Sequence, residues 1–461
     1  MRKLLSYILL AGLMLSPVYS ESATYDYDAL YTTMLVNNNR IIQADQDIYN
    51  SQLTVKDAKS LYQPNIGYNL MATYMANPPV GQIVLGTDDL MGQIGLPSNS
   101  TPNGYVTVYD GMDNTYYGAS LSLTQPLITC GKIPLAVKLA KTNSSLSEIK
   151  KDDTTMQLET QLKITLDSLY YVNQLFALVD RAKADSDELV SIAENAMDNG
   201  MMTRQDYLDA KIQAKEVDVQ RKTLESQFNN LLQSLKTLVG IENLQFDDIK
   251  YVPNEDNLYK YIGYTSEELK AKATEDSSKT LQIISKMKAA ADIQEDLAWR
   301  SIYGAPDVFM NVSAGYGGPR FPFAEIGWRQ TNEWSLNVTF TVSGNLWDGG
   351  RTLNSIDKAK SNQKSVDISY DSTVDTIKSA VETAYNSMFT SNSKIEYMLL
   401  KKENGELKMQ KIESELEAGQ KSRKDVLQQD VDMIKNDVDL LTEKITLTSS
   451  VSILDYLTGI L

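Results

Sequence analysis

Leu158, Leu162, Leu166, Leu169, Val172, Phe176 and Val179 recur at spacings of three and four, the period of one helix face. Leu224, Phe228, Leu231, Leu235 and Leu238 continue in alternating steps of four and three, a heptad seam. The pattern predicts an antiparallel helix pair, Ile133–Ala196 and Thr203–Leu238, broken once at Asn199-Gly200. Pro134 sits where a first helical turn tolerates proline. At 1.5 Å per residue the first arm would run on the order of 100 Å. Such a length belongs to a rod, a coiled coil or a tube.

Elsewhere the period switches to two. A helical pattern from Tyr25 to about Leu61 (Leu30, Met34, Ile41, Ala44) ends at Pro64, because residues before proline avoid helical geometry. Ile66, Tyr68, Leu70, Ala72 and Tyr74 then alternate with small and polar residues. A Gly-, Pro- and Asn-rich loop from Pro78 to about Thr115 follows, and a second strand carries Tyr117, Ala119, Leu121 and Leu123. The order then repeats: a helix from about Ser266 to Ser301, a strand through Val308, Met310, Val312, Ala314 and Tyr316, and a shorter loop with Pro319 and Pro322. The last strand sets Trp334, Leu336, Val338, Phe340 and Val342 against Ser335, Asn337, Thr339, Thr341 and Ser343. Gly349-Gly350-Arg351 opens another long helix.

The halves are a duplication. Adding 219 carries Leu127 to Leu346, Gly131 to Gly350, Gly200 to Gly419, Arg204 to Arg423, Asp206 to Asp425 and Gly240 to Gly459. Heptads alone would match apolar positions, not these Gly, Arg and Asp pairs. The reading is a signal peptide at 1–20, a first structural repeat at 21–240, a connecting segment at 241–263 and a second repeat at 264–461. The first repeat has strands at 64–76 and 117–128, a long helix at 131–198 and a return helix at 203–240. The second has strands at 306–317 and 333–345, a long helix at 350–417 and a return helix at 422–459. So long a period makes a pseudo-twofold protomer rather than an array.

Composition narrows the function. The 461 residues carry a formal charge of -16, which argues against nucleic acid as a partner. Histidine is absent and Cys130 is the one cysteine, which removes the usual general base and the common metal ligands. No catalytic, cofactor or metal constellation emerges, and no enzyme is expected. Arg2 and Lys3, the apolar run Leu4–Leu15 and Val18-Tyr19-Ser20 read as an export signal with its cleavage site. Nothing later reaches eighteen uninterrupted apolar residues, so any membrane must be crossed by strands.

Strands of nine to eleven alternating residues have the length a tilted bilayer strand needs. In lipid every backbone polar group must be paired, so a spanning sheet has to close. Four strands cannot close alone, so copies of the chain must pool them: two copies give eight strands and three give twelve. The competing reading is an exported structural or adhesive coiled-coil rod with a soluble β head.

The chain resembles the outer-membrane efflux channel family, the TolC-like outer-membrane factors, over its mature length. The likeness rests on Tyr62-Gln63-Pro64 and Gly304-Ala305-Pro306 before strands, and on Gln125-Pro126-Leu127 and Gly349-Gly350-Arg351 after them. It rests also on Gly200-Met201-Met202-Thr203-Arg204-Gln205-Asp206, on Gly419-Gln420-Lys421-Ser422-Arg423-Lys424-Asp425, and on Leu238-Val239-Gly240 with Leu457-Thr458-Gly459. The resemblance implies a mainly α fold with transmembrane β. Long antiparallel coiled-coil helices would form a periplasmic α-barrel tunnel, and four strands per chain would join a trimeric 12-stranded outer-membrane β-barrel. It implies a homotrimer in outer-membrane lipid, no cofactor, a periplasmic adaptor (membrane fusion protein) and an inner-membrane pump. The exit duct would serve tripartite efflux or type I secretion.

At the tips, Thr203 with Asp206 and Ser422 with Asp425 fit capping boxes, after Gly200 and Gly419 as helix stops. The family's second-repeat tip helix carries two aspartates three residues apart that narrow the pore. Asp425 matches the first and Gln428 stands at the second, while Asp206 and Asp209 have that spacing in the first repeat. The resemblance therefore implies a constriction at Asp425, Gln428, Asp206 and Asp209. It implies an adaptor-docking tip at Gly200, Thr203, Arg204, Gly419, Lys421, Ser422 and Arg423. Trp334 and Trp347 read either as interfacial anchors or as side chains packed between strand and helix. Cys130 reads as a bystander.

Overall fold

The computed structural model describes residues 24–78, 80–87, 104–109, 111–275, 278–302 and 305–459. The expected signal peptide, the centre of the Pro78–Thr115 loop and Gly304 lie outside the described residues. The chain forms two compact units. A helical unit comprises residues up to Asn50, Ser144–Lys288 and Ser365 onward, and a sheet unit comprises Ser51–Asn143 and Ala289–Lys364. Each unit draws on both sequence repeats.

In the helical unit, α1 (Tyr27–Asn37) and α2 (Asn39–Ser60) replace the single helix expected from Tyr25 to Leu61. Asn38 breaks it: its Nδ2 donates to the Leu238 carbonyl at 2.7 Å and its Oδ1 accepts from the Arg40 amide at 2.9 Å. Long helices α3 (Lys132–Asp198) and α8 (Arg351–Glu417) each turn back into α4 (Arg204–Val239) and α9 (Arg423–Thr458). The helix expected over Ser266–Ser301 is two, α5 (Ser266–Ala273) and α6 (Lys279–Trp299), because Thr274 caps the first by hydroxyl bonds to the Lys270 and Ala271 carbonyls.

Each repeat supplies one apolar core within this unit. Leu30 and Met34 of α1 pack with Leu158, Leu162 and Leu166 of α3 and Leu235 of α4. Tyr261, Leu269 of α5, Val381 and Met388 of α8, and Leu447 and Leu454 of α9 form the other. Leu235 and Leu454, 219 apart, are both fully buried.

The sheet unit holds β1 (Asn65–Tyr74), β4 (Thr115–Ile128), β5 (Asp307–Gly318) and β6 (Glu333–Ser343), antiparallel in the order β1-β4-β5-β6. A one-turn helix, α7 (Trp328–Thr331), precedes β6. The stretch expected as plain loop before β4 contains a small pair, β2 (Ile83–Gly86) with β3 (Tyr105–Tyr109). Its apolar runs are too short for a period-two signal to stand out among Gly, Pro and Asn.

Glycines at positions 219 apart share left-handed backbone geometry. Gly131 and Gly350 have φ of +82° and +87°, Gly200 and Gly419 both +72°, and Gly240 and Gly459 +74° and +64°. Cys130, at +48°, occupies the turn that Gly349 makes at +71°.

Candidate duct wall and tip

The strand register gathers the apolar positions on one face of the sheet. Across the four strands Tyr68 stands beside Leu121, Leu121 beside Ala314, and Ala314 beside Leu336. Ile66, Leu123, Val312 and Val338 form the next row. On β6, Trp334, Leu336, Val338, Phe340 and Val342 are all exposed. The opposite face is hydroxyl and amide: Thr124 Oγ1 donates to Asn311 Oδ1 at 2.8 Å, and Asn311 Nδ2 donates to Thr341 Oγ1 at 3.3 Å. A bare apolar face this wide does not suit a soluble β head. Trp334 and Trp347 are about four-fifths exposed (81% and 80%), so the packed alternative for them is set aside.

The sheet is also open, with the outer edges of β1 and β6 unpaired among the described residues. An open edge is a row of unsatisfied N–H and C=O groups.

The long helices of the helical unit form a second row. Arg221 of α4 pairs with Asp180 of α3 at 2.6 Å, and Lys183 of α3 with Asp218 of α4 at 2.7 Å. Arg181 of α3 grips Asp430 of α9, and Lys394 and Lys402 of α8 reach Glu443 and Asp437 of α9. Bonded neighbours therefore run α4-α3-α9-α8. Beyond them, Leu208, Ile212 and Val219 of α4 are exposed, as are Tyr397, Leu400 and Leu407 of α8. Adding 219 to Arg181 and Glu188, which hold α9, gives Leu400 and Leu407. Adding it to Leu208 gives Leu427, which is 1% exposed where α9 meets its neighbours. The same helix faces are thus joined inside the chain in one repeat and left uncovered in the other.

At the tips, Gly200 and Gly419 end the long helices in left-handed geometry, with open space where a side chain would be. Thr203 Oγ1 accepts from the Asp206 amide at 3.2 Å. Ser422 donates its amide and its hydroxyl to Asp425 Oδ2, both at 2.8 Å. These backbone and hydroxyl bonds hold the Asp425 carboxyl below its ordinary value. Gln428 lies one turn on, in a groove of about 250 Å³ shared with Ser186 of α3 and Gln213 of α4. Asp206 and Asp209 are exposed at the start of α4, with Arg204; Lys421 lies 4.0 Å from Asp425.

Arg423 has a partner that its position in a tip motif did not suggest: its guanidinium donates to both oxygens of Glu188 on α3, at 2.9 and 3.1 Å. Asp185 lies beside Asp430 in the same α3–α9 contact. Burial, and then the neighbouring carboxylate, push the Asp185 carboxyl up to about 6. Sequence reasoning missed this cluster because it joins residues about 240 positions apart that the repeat does not pair; Asp430 has Lys211 as its counterpart.

Residues 310–459 match the model of the outer membrane efflux protein family. The fold extends the likeness to nearly the whole chain. A membrane protein from Pseudomonas aeruginosa superimposes with a TM-score of 0.70 at 15% identity, covering 94% of this chain and 93% of that one. The outer membrane protein VceC of Vibrio cholerae gives 0.68 at 15% identity, over 94% and 96%. The CmeC outer membrane channel of Campylobacter jejuni gives 0.69 at 14% identity, over 94% and 85%. No curated protein sequence matches. The family match lies in the second repeat, and the shared fold spans nearly the whole chain.

Proposed function

We propose that three copies join head to tail into one closed wall, and that this wall is the exit duct of a tripartite efflux or type I secretion system. The duct is passive: it conducts small molecules or proteins delivered by an inner-membrane pump through a periplasmic adaptor. The observation that carries the reading is the pair of uncovered edges, on the sheet and on the helix row.

The duplication says how the edges meet. Inside the chain β4 pairs with β5, with Leu121 opposite Ala314 and Leu123 opposite Val312. The repeat relates β4 to β6 by adding 219, and β5 to β1 by subtracting 242, the interval between Pro306 and Pro64. Carried over, the contact places Phe340 opposite Ala72 of the neighbouring copy, and Val342 opposite its Leu70. Each pair is apolar and on the lipid face, and the joint is antiparallel like the others. By the same relation α8 receives α4 of the neighbour, covering Leu400, Leu407, Leu208 and Ile212. Twelve strands then close without an edge.

At the tip, Asp425 and Gln428 line the constriction with Asp206 and Asp209. The turns at Gly200, Thr203 and Arg204 and at Gly419, Lys421, Ser422 and Arg423 receive the adaptor. The test is a Phe340→Cys, Ala72→Cys pair in a Cys130→Gly background. Oxidation should yield covalent trimers on denaturing gels. Phe340→Cys with Thr73→Cys, one residue out of register, should not. Equal crosslinking by both pairs would reject the register.

A further inference from the structure

Within the helical unit, α1, α3, α9 and the connecting segment enclose a cavity of about 320 Å³, in the range of small-molecule sites. Glu159, Lys163, Asp167 and Asp455 line it, and they are not equally satisfied. Asp455 takes Lys163 at 3.2 Å, Lys260 at 3.1 Å and the Tyr261 hydroxyl at 2.6 Å. Asp167 accepts the Tyr251 hydroxyl at Oδ1, 2.6 Å away, and Glu159 accepts from tyrosine hydroxyls, Tyr27 at 3.5 Å and Tyr31. Neither is ion-paired among the described residues. Ser452 also lines the cavity; its side chain is buried, at 1% exposure, and its Oγ has no hydrogen-bond partner. Buried polar atoms are mostly paired, and of the few unpaired among the described residues Ser452 Oγ belongs to a residue of this cavity wall, where an occupant could satisfy it.

We infer that the cavity binds a small organic amine, its ammonium on Asp167, a polar group on Ser452 Oγ, and its apolar body between Leu258, Val451 and the tyrosine rings. The wall's chemistry selects that class. An anion would meet Glu159 and Asp167, a neutral molecule would bring Asp167 no charge beyond that of Lys163, and a hydrated metal ion would leave the apolar surface unused. Tyr27 and Tyr251 also line the cavity, and aromatic rings attract a cation. The site stands apart from the sheet faces and the tip, and does not depend on conduction.

Binding should strengthen as pH rises. Burial, opposed by the Tyr251 hydrogen bond and by Lys163, raises the Asp167 carboxyl to about 6, so it is charged and receptive above that value. Glu159 and Lys163 from α3, Tyr27 from α1, Tyr251 from the connecting segment and Asp455 from α9 are the other ionisable groups facing the cavity.

The experiment is calorimetric titration of the full-length detergent-solubilised protein at pH 7.5 with tyramine, tyrosol and 3-(4-hydroxyphenyl)propionate. Tyramine should bind, tyrosol about tenfold or more weakly, and the acid not at all. Asp167→Asn should weaken tyramine about tenfold and remove the loss of binding at pH 5. Should that variant not assemble, Ser452→Ala is the substitute, with weaker tyramine binding expected. No tyramine binding, equal affinity for tyramine and tyrosol, or unchanged affinity in the variant that assembles would overturn the site.

Discussion

The guanidinium of Arg181 and the carboxylate of Asp430 meet at 3.1 and 2.6 Å through Nε and Nη2, fastening α3 to α9. Asp185 sits against the same carboxylate, and its pKa is raised from an ordinary 3.8 to about 6. A group whose folded-state pKa is raised adds stability below its unfolded value, and that contribution is lost as pH climbs through the folded value. The contribution of Asp185 to the α3–α9 contact is therefore fullest below about pH 4 and is lost toward pH 7, while the Arg423–Glu188 pair, whose carboxyl is held below its ordinary value, weakens only in acid. Hydrogen exchange in 181–188 and 425–432 should accelerate between pH 5 and pH 7.5 beyond its intrinsic pH dependence. Asp185→Asn should flatten that excess.

The two faces of β6 should respond oppositely to charge. Phe340→Arg sets a cation against hydrocarbon, at roughly 2–4 kcal/mol near the bilayer centre, in each copy of the assembly. Heat-modifiable oligomer should disappear from outer-membrane extracts. Thr339→Asp, on the hydroxyl face, should assemble normally and shift ion preference toward cations in planar bilayers.

Asp425 bonds to Ser422 and also lies one turn from Gln428. Asp425→Ala should change single-channel conductance or cation preference, and Gln428→Asp should increase cation preference. Conductance and selectivity equal to wild type in Asp425→Ala would place the constriction elsewhere.

Cys130 and Gly349 test the equivalence of the repeats at the level of one turn. Both have positive φ, and no atom lies within 4 Å of a Cβ built at Gly349. Gly349→Ala should therefore cost only backbone strain, about 1–2 kcal/mol, read as a lower temperature for the heat-induced gel shift. Cys130→Gly should not lower that temperature, although it removes the thiol's contact with the Pro306 carbonyl at 3.1 Å.

Most of this architecture was legible in the chain because it rests on period. The heptads of α3 and α4 and the clean alternation of β6 are signals many residues long, and the offset of 219 ties them together. What escaped was local or long-range. Asn38 breaks a helix by bonding to Leu238, 200 residues away, which no window of sequence contains. Thr274 ends α5 with ordinary helix-compatible neighbours around it. At the tip, the capping residues Thr203 and Ser422 were readable from their spacing. Arg423 binding Glu188 and Arg181 binding Asp430 depend on which helices become neighbours, and the sequence carries no periodic trace of that.

The most direct measurement is the mass of the purified, processed protein, by native mass spectrometry from detergent. The expected result is one species of three chains, lost when Phe340→Arg or Leu400→Glu uncovers the edges. A stable single-chain particle, monodisperse in detergent-free buffer, would contradict the shared wall and the duct with it.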